Sequence, residues 1–97
     1  MAIFVSLVNF TDQGIRYVKN TIQRADAFRE TANKLGVEVK EIYWTLGSYD
    51  LVIIVEAPDD ESVATMFMSV GSLGNIRFHT LRGFSAKEME RMVKNIP

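Results

Sequence analysis

Several residue types are scarce or missing from this chain of 97 residues, which contains no cysteine, one histidine and two prolines. Without cysteine there is no disulfide, no thiolate metal ligand and no cysteine nucleophile. A single histidine excludes a metal site built from several histidines of one chain. No apolar run approaches the roughly 20 residues that span a bilayer. The first residues lack the basic start and small-residue cleavage site of a signal peptide, so we expect a cytoplasmic location without membrane association.

Net charge is also small, because the formal value is −1 although 24% of the residues are charged. Such a balance gives no electrostatic attraction to nucleic acid or to an anionic membrane, so we expect neither as a partner. It also does little to keep copies of the chain apart. A hydrophobic fraction of 47% at this length suits one globular domain that covers residues 1–97.

The spacing of apolar residues predicts the order β-α-β-β-α-β, followed by a further helix. Strands are expected over residues 2–10, 37–46, 50–57 and 76–84. The first helix is expected to follow a cap at Thr11 or Asp12 and to continue as one long amphipathic helix to about Leu35. The second opens at Pro58-Asp59, and the third follows a capping box of Ser85 and Glu88. This order is typical of the α+β class. It predicts a ferredoxin-like plait with a four-stranded antiparallel sheet and an extra C-terminal helix.

Two strands are apolar on both faces, which predicts assembly. Residues 51–55 read Leu-Val-Ile-Ile-Val, and residues 2–10 are almost as apolar. Side chains of a strand alternate between the two faces, so both faces of this sheet need a cover. A chain this short covers one face with its own helices. We therefore expect a homo-oligomer, a dimer or larger, resembling a dimeric α+β barrel, with a second copy or the last helix on the other face.

Local details of the pattern add three expectations. The alternation slips within residues 37–46, which predicts a β-bulge near Lys40 and Glu41. Gly47 is expected to have a positive φ in the turn that follows. The basic residues of the first helix alternate with acidic ones, so a mixed solvated face is expected for Arg16, Lys19, Arg24 and Arg29.

Four segments in order resemble the GYD family, which is named for a Gly-x-Tyr-Asp turn. They are Thr11-Asp12-Gln13-Gly14, Gly47-Ser48-Tyr49-Asp50, Val55-Glu56-Ala57-Pro58-Asp59 and Thr80-Leu81-Arg82-Gly83-Phe84. The resemblance covers nearly the whole chain and implies a dimeric plait, with no established reaction. A looser similarity exists to the effector-binding domain of leucine-responsive regulators, where such a turn joins two central strands and amino acids bind between subunits. The helix-turn-helix of those regulators is not found in this chain.

Three residues are candidates for ligand binding: Trp44, Tyr49 and His79. Histidine is the side chain that most often serves as a proton acceptor in proteins, so His79 can act as a base or a hydrogen-bond partner, or it can be a structural interface histidine. Tyr49 and Asp50 can form the lip of a pocket or fix the turn, with Asp50 accepting backbone N–H groups. Trp44 and Tyr43 must face opposite ways, and the outward one can stack on a planar ligand or pack in a dimer.

No cofactor or metal is expected. The carboxylates of residues 59–61 belong to the first turn of a helix, and the glycines of residues 71–74 lack the lysine of a phosphate loop. Three functions therefore remain open. The first is a homo-oligomeric small-molecule-binding or regulatory module. The second is a cofactor-independent enzyme with His79 as acid or base, and the third is a purely structural interaction module.

Overall fold

Four strands and four helices make up the fold in the computed structural model, which describes all 97 residues. The strands are β1 (Ala2–Phe10), β2 (Glu38–Trp44), β3 (Leu51–Ala57) and β4 (Ile76–Gly83). The helices are α1 (Asp12–Arg16), α2 (Thr21–Lys34), α3 (Asp60–Gly71) and α4 (Ala86–Lys94), with a 3-10 turn at Val18–Asn20 between α1 and α2. None of these helices has both the length and the apolar composition needed to cross a membrane.

The strands form one antiparallel sheet in the order β2-β3-β1-β4, which confirms the ferredoxin-like topology. The two strands that are apolar on both faces, β1 and β3, lie in the centre, as expected. The register between β2 and β3 shifts between Val39 and Glu41. Lys40 is thus the extra residue of the predicted bulge. The bulge returns Ile42 to the face that carries the core.

The core lies between α2, α3 and one face of the sheet, which we call the helix face. The ring of Phe67 connects the two layers, because its centroid lies 5.8 Å from that of Phe28 on α2 and 4.6 Å from that of Phe78 on β4. Burial of such apolar side chains is the main stabilising term of a domain of this size. The fully buried members are Phe4, Val8, Phe28, Ala32, Val37, Leu51, Ile53, Val55, Ala57, Val63, Met66 and Phe67.

The prediction of one long first helix was wrong. Tyr17, with φ −107° and ψ 35°, leaves the helical region and ends α1, and α2 starts again after the 3-10 turn. The predicted apolar stripe is therefore split. Its later members, Phe28 and Ala32, are buried, whereas Ile15 and Ile22 stay exposed to solvent.

The direction of α1 is fixed by a close approach to the loop before β4. Thr11 caps α1 by accepting the N–H of Gly14 at 3.0 Å, while its hydroxyl donates to the carbonyl of Gly74 at 2.6 Å. Gln13 donates to the side chain of Asn75 at 2.9 Å. A Cβ on Gly14 would lie 1.9 Å from the carbonyl oxygen of Asn75, so no larger residue fits at this position. These contacts direct α1 away from the line of α2.

The other face of the sheet carries no helix, and we call it the open face. Since side chains alternate along each strand, the pairing places seven apolar or aromatic residues on it. They are Ile3, Val5, Leu7, Tyr43, Val52, Ile54 and Leu81. The C-terminal helix α4 begins at the predicted capping box of Ser85 and Glu88, and Glu88 forms an ion pair with Arg82 of β4 at 3.4 Å, but no residue of α4 is buried.

Candidate functional site

The Gly47-Ser48-Tyr49-Asp50 turn is closed by its own backbone. Gly47 has the predicted positive φ, at 110°, a conformation that residues with a Cβ rarely adopt. The N–H of Thr45 donates to the carbonyl of Asp50 at 2.8 Å, and the hydroxyl of Thr45 donates to the carbonyl of Tyr49 at 2.6 Å. The turn therefore holds Tyr49 in one position above the end of the sheet.

Asp50 attaches this turn to the end of β1. Its carboxylate accepts the N–H of Phe10 at 2.8 Å, which confirms the expectation that Asp50 accepts a backbone donor. Its own N–H donates to the carbonyl of Val8, also at 2.8 Å. Asn9 adds a third link, because its amide donates to the carbonyl of Ser48 at 2.8 Å. The acidic residue of the turn thus has a structural role.

Tyr49 and His79, which are two of the three predicted site residues, lie close together. Their ring centroids lie 6.3 Å apart, and the rings meet edge to face at 73°. His79 lies on the open face opposite Leu7, next to Arg77, which lies opposite Asn9. His79 is exposed and Tyr49 is half-buried. The pair therefore borders the apolar open face and presents one phenol and one imidazole there.

Trp44 does not join this pair. It lies on the helix face, where its indole N–H donates to the hydroxyl of Thr21 on α2 at 2.9 Å. Its neighbour Tyr43 lies on the open face, so the prediction that the two aromatic residues face opposite ways is confirmed. A site that includes all three predicted residues is therefore not formed within one copy of the chain.

An acidic corner occupies the end of the open face farthest from Arg77. Glu38 and Glu56 face each other across β2 and β3, and the amino group of Lys40 lies 3.1 Å and 3.2 Å from their carboxylates. The hydrogen bond to Glu38, followed by that to Glu56, raises the pKa of Lys40. Glu41 on the same strand raises the pKa of the Tyr43 phenol by a hydrogen bond. No group of three or more residues of the chain could hold a metal ion.

A cleft of about 110 Å³ lies between α2 and the helix face of the sheet. Most of its lining is apolar, including Phe10, Phe28 and Ile42, and Arg24 is the only charged residue that lines it. The Arg24 guanidinium donates to the carbonyl of Gly14 at 3.0 Å and lies over the ring of Phe10, 5.7 Å from its centroid.

The cleft was not predicted from the sequence, and Arg24 was expected on a solvated face. A signal was available, since Arg24 precedes the core residue Phe28 by four positions. Residues four apart lie on the same side of a helix. The cleft itself requires the folded arrangement of α2 over the sheet, which the apolar period does not reveal.

Comparison with known proteins identifies relatives along the whole chain. The family model described as the GYD domain matches residues 4–93. A protein of Thermus thermophilus named glutamine synthetase and cystathionine beta-lyase binding protein is 32% identical over 95 residues, which covers 97% of this chain and 100% of that protein.

Solved structures agree on the fold. TTHA0845 from Thermus thermophilus superposes with a TM-score of 0.57 at 27% identity, over 89% of this chain and 96% of that one. MtbAldR superposes with a TM-score of 0.67 at 15% identity, over 87% of this chain. The chain spans about half of MtbAldR, with 52% of it covered, and a likeness at this identity shows the fold alone.

Proposed function

This chain belongs to the GYD domain family, and from that premise we propose that it is a regulatory interaction module that works as a homo-oligomer and binds partner enzymes. The observation that carries the proposal is the uncovered open face. The name of the Thermus relative, a binding protein for glutamine synthetase and cystathionine beta-lyase, supports the part that concerns enzyme partners.

A second copy of the chain is the proposed cover of the open face. Ile3, Val5, Leu7, Val52 and Ile54 form a continuous apolar surface across β1 and β3, and all five are only half-buried. Completing the burial of a side chain of this size contributes up to about 1.5–3 kcal/mol. Contiguous apolar surface of this kind marks an interaction site in proteins. Because the same surface exists on every copy, a two-fold symmetric pair is the simplest arrangement.

The charges around the open face favour a particular orientation of the second copy. Glu38 and Glu41 lie on the edge strand β2, whereas Arg77 and His79 lie on the opposite edge strand β4. Glu38 is also at the opposite end of the sheet from Arg77. Glu38 and Arg77 thus lie at opposite corners of the open face, on one diagonal. A two-fold axis along the other diagonal would bring the acidic corner of one copy against Arg77 of its partner, and the strands of the two sheets would cross.

Small-molecule binding at this interface is the finer part of the proposal. Tyr49 and His79 border the open face, where a second copy would close a space over them. Their hydroxyl and imidazole groups can then donate to or accept from a polar ligand. Trp44, which lies on the opposite face, would act elsewhere and is proposed to contact a partner protein through its exposed indole edge.

The C-terminal helix α4 is proposed to extend the interface. Met89, Met92 and Val93 lie along it at steps of three and one, and Ile96 follows two residues after its end; all four are between 43% and 68% exposed. This is the apolar stripe of an amphipathic helix that lacks a partner. Methionine side chains adapt to irregular surfaces and suit such a contact.

The proposal is tested by measuring direct binding to the two enzymes that the name of the relative contains. Glutamine synthetase and cystathionine beta-lyase from the source organism are immobilised separately, and the wild-type chain is passed over each. We expect saturable binding to at least one of them. Ile54→Lys, which places a charge on the open face, should weaken binding that depends on the oligomer. The matched control Thr65→Lys, on the exposed side of α3, should bind like the wild type. Absence of saturable binding by the wild-type chain to both enzymes would contradict the enzyme-binding part of the proposal.

A further inference from the structure

We propose that the cleft beneath α2 binds a small carboxylate with a short apolar tail, with Arg24 as the residue that recognises the carboxylate. The cleft lies on the helix face, on the opposite side of the sheet from the proposed interface. It is therefore a site separate from the one formed by Tyr49 and His79.

The size of the cleft limits the tail. A cavity of about 150 Å³ lined by aliphatic and aromatic residues holds a molecule of benzene. In proportion, the 110 Å³ of this cleft accommodates an apolar group of about four carbons. Phe10, Phe28, Ile42 and Val70 supply apolar lining for such a group.

The charge of the lining indicates which polar group the ligand carries at the end opposite its apolar tail. Arg24 is half-buried and lines the cleft, and no acidic residue lines it. The guanidinium is held by the carbonyls of Gly14 and Tyr17 and by the ring of Phe10, but it forms no ion pair. Arginine carries five N–H donors, so donors are left for a carboxylate. A half-buried cation beside apolar walls complements a small amphipathic anion.

Arg24 also connects two elements of the fold. α1 and α2 are separate helices, and Arg24 on α2 donates a hydrogen bond to the carbonyl of Gly14 in α1. Occupation of the cleft by an anion would thus act on a residue that connects the two helices.

Pentanoate tests the inference, with pentan-1-ol as the uncharged probe of the same tail and pentylammonium as the cationic one. Binding is followed by amide chemical shifts in NMR spectra of the full chain. We expect pentanoate to bind with a dissociation constant on the order of 1 mM, as suits so few atoms. The shifts should concentrate in α2 and near Phe10. Pentan-1-ol should bind about tenfold more weakly, because the charge-assisted hydrogen bond is lost.

Two variants separate the charge from the cavity. Arg24→Gln should reduce pentanoate affinity about tenfold while pentan-1-ol affinity stays unchanged, whereas the control Arg29→Gln, on the exposed side of α2, should change neither. Ala25→Leu should fill the cleft and abolish binding of both probes, whereas Ala64→Leu on α3 should not. Equal affinity for all three probes, shifts confined to the open face, or no binding would each overturn the inference. The oligomeric state should be the same with and without pentanoate, so this test is independent of the proposed function.

Discussion

At the scale of single residues, two glycines are required for different physical reasons. Gly14 is required by space, because a Cβ there would lie 1.9 Å from the carbonyl oxygen of Asn75. Gly47 has open space around it and is required by its φ of 110°. The first requirement arises from a contact between residues far apart in the chain, and the second is local.

Gly14→Ala should destabilise the fold by about 1–3 kcal/mol, since the backbone of Asn75 must move to make room for the methyl group. Gly47→Val should cost a similar amount, about 1–3 kcal/mol, through strain at a positive φ. Urea denaturation followed by circular dichroism measures both. An unchanged midpoint for Gly14→Ala would show that α1 and the loop before β4 do not touch as described.

Asp59 makes the stability of α3 depend on pH. Its carboxylate accepts the N–H of Ser62 at 2.8 Å, and this hydrogen bond lowers its pKa below the ordinary value of 3.8. A carboxyl group whose pKa is lower in the folded state stabilises the fold above its unfolded pKa. That contribution is lost as the pH falls through the folded value. The N–H of Ser85 lowers the pKa of Glu88 in the same way at the start of α4.

Asp59→Asn should therefore reduce the loss of stability between pH 6 and pH 3, because asparagine still caps the helix but does not titrate. The change in urea midpoint between these two pH values is the measurement. Asp60→Asn, one residue later in the first turn, is the matched control and should lose as much stability as the wild type. An identical loss in wild type and Asp59→Asn would contradict the assigned role of the cap.

Residue roles were predictable from the sequence where they depend on neighbours in the chain. The positive φ of Gly47, the backbone bond to Asp50 and the capping box at Ser85 follow from local turn and cap chemistry. The close approach at Gly14 was not predictable, because Asn75 comes near it only in the folded chain. Nor could the sequence show that Trp44 and the Tyr49–His79 pair lie on opposite faces, since this depends on how β2 and β4 pair with the central strands, which the predicted bulge at Lys40 alone does not determine.

At the scale of elements, the sheet was more predictable than the first helix. The strand order follows from the alternation of strands and helices, and the central strands are those with two apolar faces. The apolar period of residues 12–35 continues through the break at Tyr17, so the period alone indicates one helix. The break occurs in a segment that Thr11 and Gln13 attach to the loop before β4 by hydrogen bonds, which no helical pattern reports.

The C-terminal helix α4 should exchange its amide hydrogens at a rate that depends on protein concentration. It has no buried residue, so its stability in a single copy rests mainly on its cap and on the ion pair of Glu88 with Arg82. Formation of an oligomer that covers the apolar stripe of α4 should slow the exchange of its amide hydrogens at the higher protein concentration. Hydrogen–deuterium exchange at 1 µM and 100 µM measures this, with β1 as the reference segment. Equal exchange of α4 at both concentrations would contradict its proposed place in the interface.

At the scale of the whole molecule, the shape favours assembly. The molecule measures 51 × 31 × 18 Å, because one sheet with one helical layer is thin and α4 extends from it. The uncovered apolar face was predictable from the sequence, since two central strands with apolar side chains on both faces need more cover than the chain supplies. The separation of the acidic corner from Arg77 and His79 on the open face was not predictable without the register of β2 and β4.

The crossed arrangement of two copies can be tested by exchanging charges. Arg77→Glu alone and Glu38→Arg alone should each weaken the dimer, because each sets like charges against each other across the interface. An equimolar mixture of the two variants can form a heterodimer in which both contacts join opposite charges, and the double variant also restores opposite charges at both. The double variant should therefore recover most of the affinity measured by fluorescence-detected dilution, and failure to recover would exclude this orientation.

Sedimentation equilibrium tests the central claim, that the open face is covered by another copy of the chain. Between 1 µM and 100 µM, the wild-type chain should sediment as a multiple of its monomer mass of 11.0 kDa. Ile54→Lys, and independently Leu81→Lys on the edge strand, should shift the mass toward the monomer while circular dichroism shows a folded chain. Thr65→Lys should behave as the wild type. A wild-type chain that is monomeric throughout this range, with the open face exposed to solvent, would contradict the account.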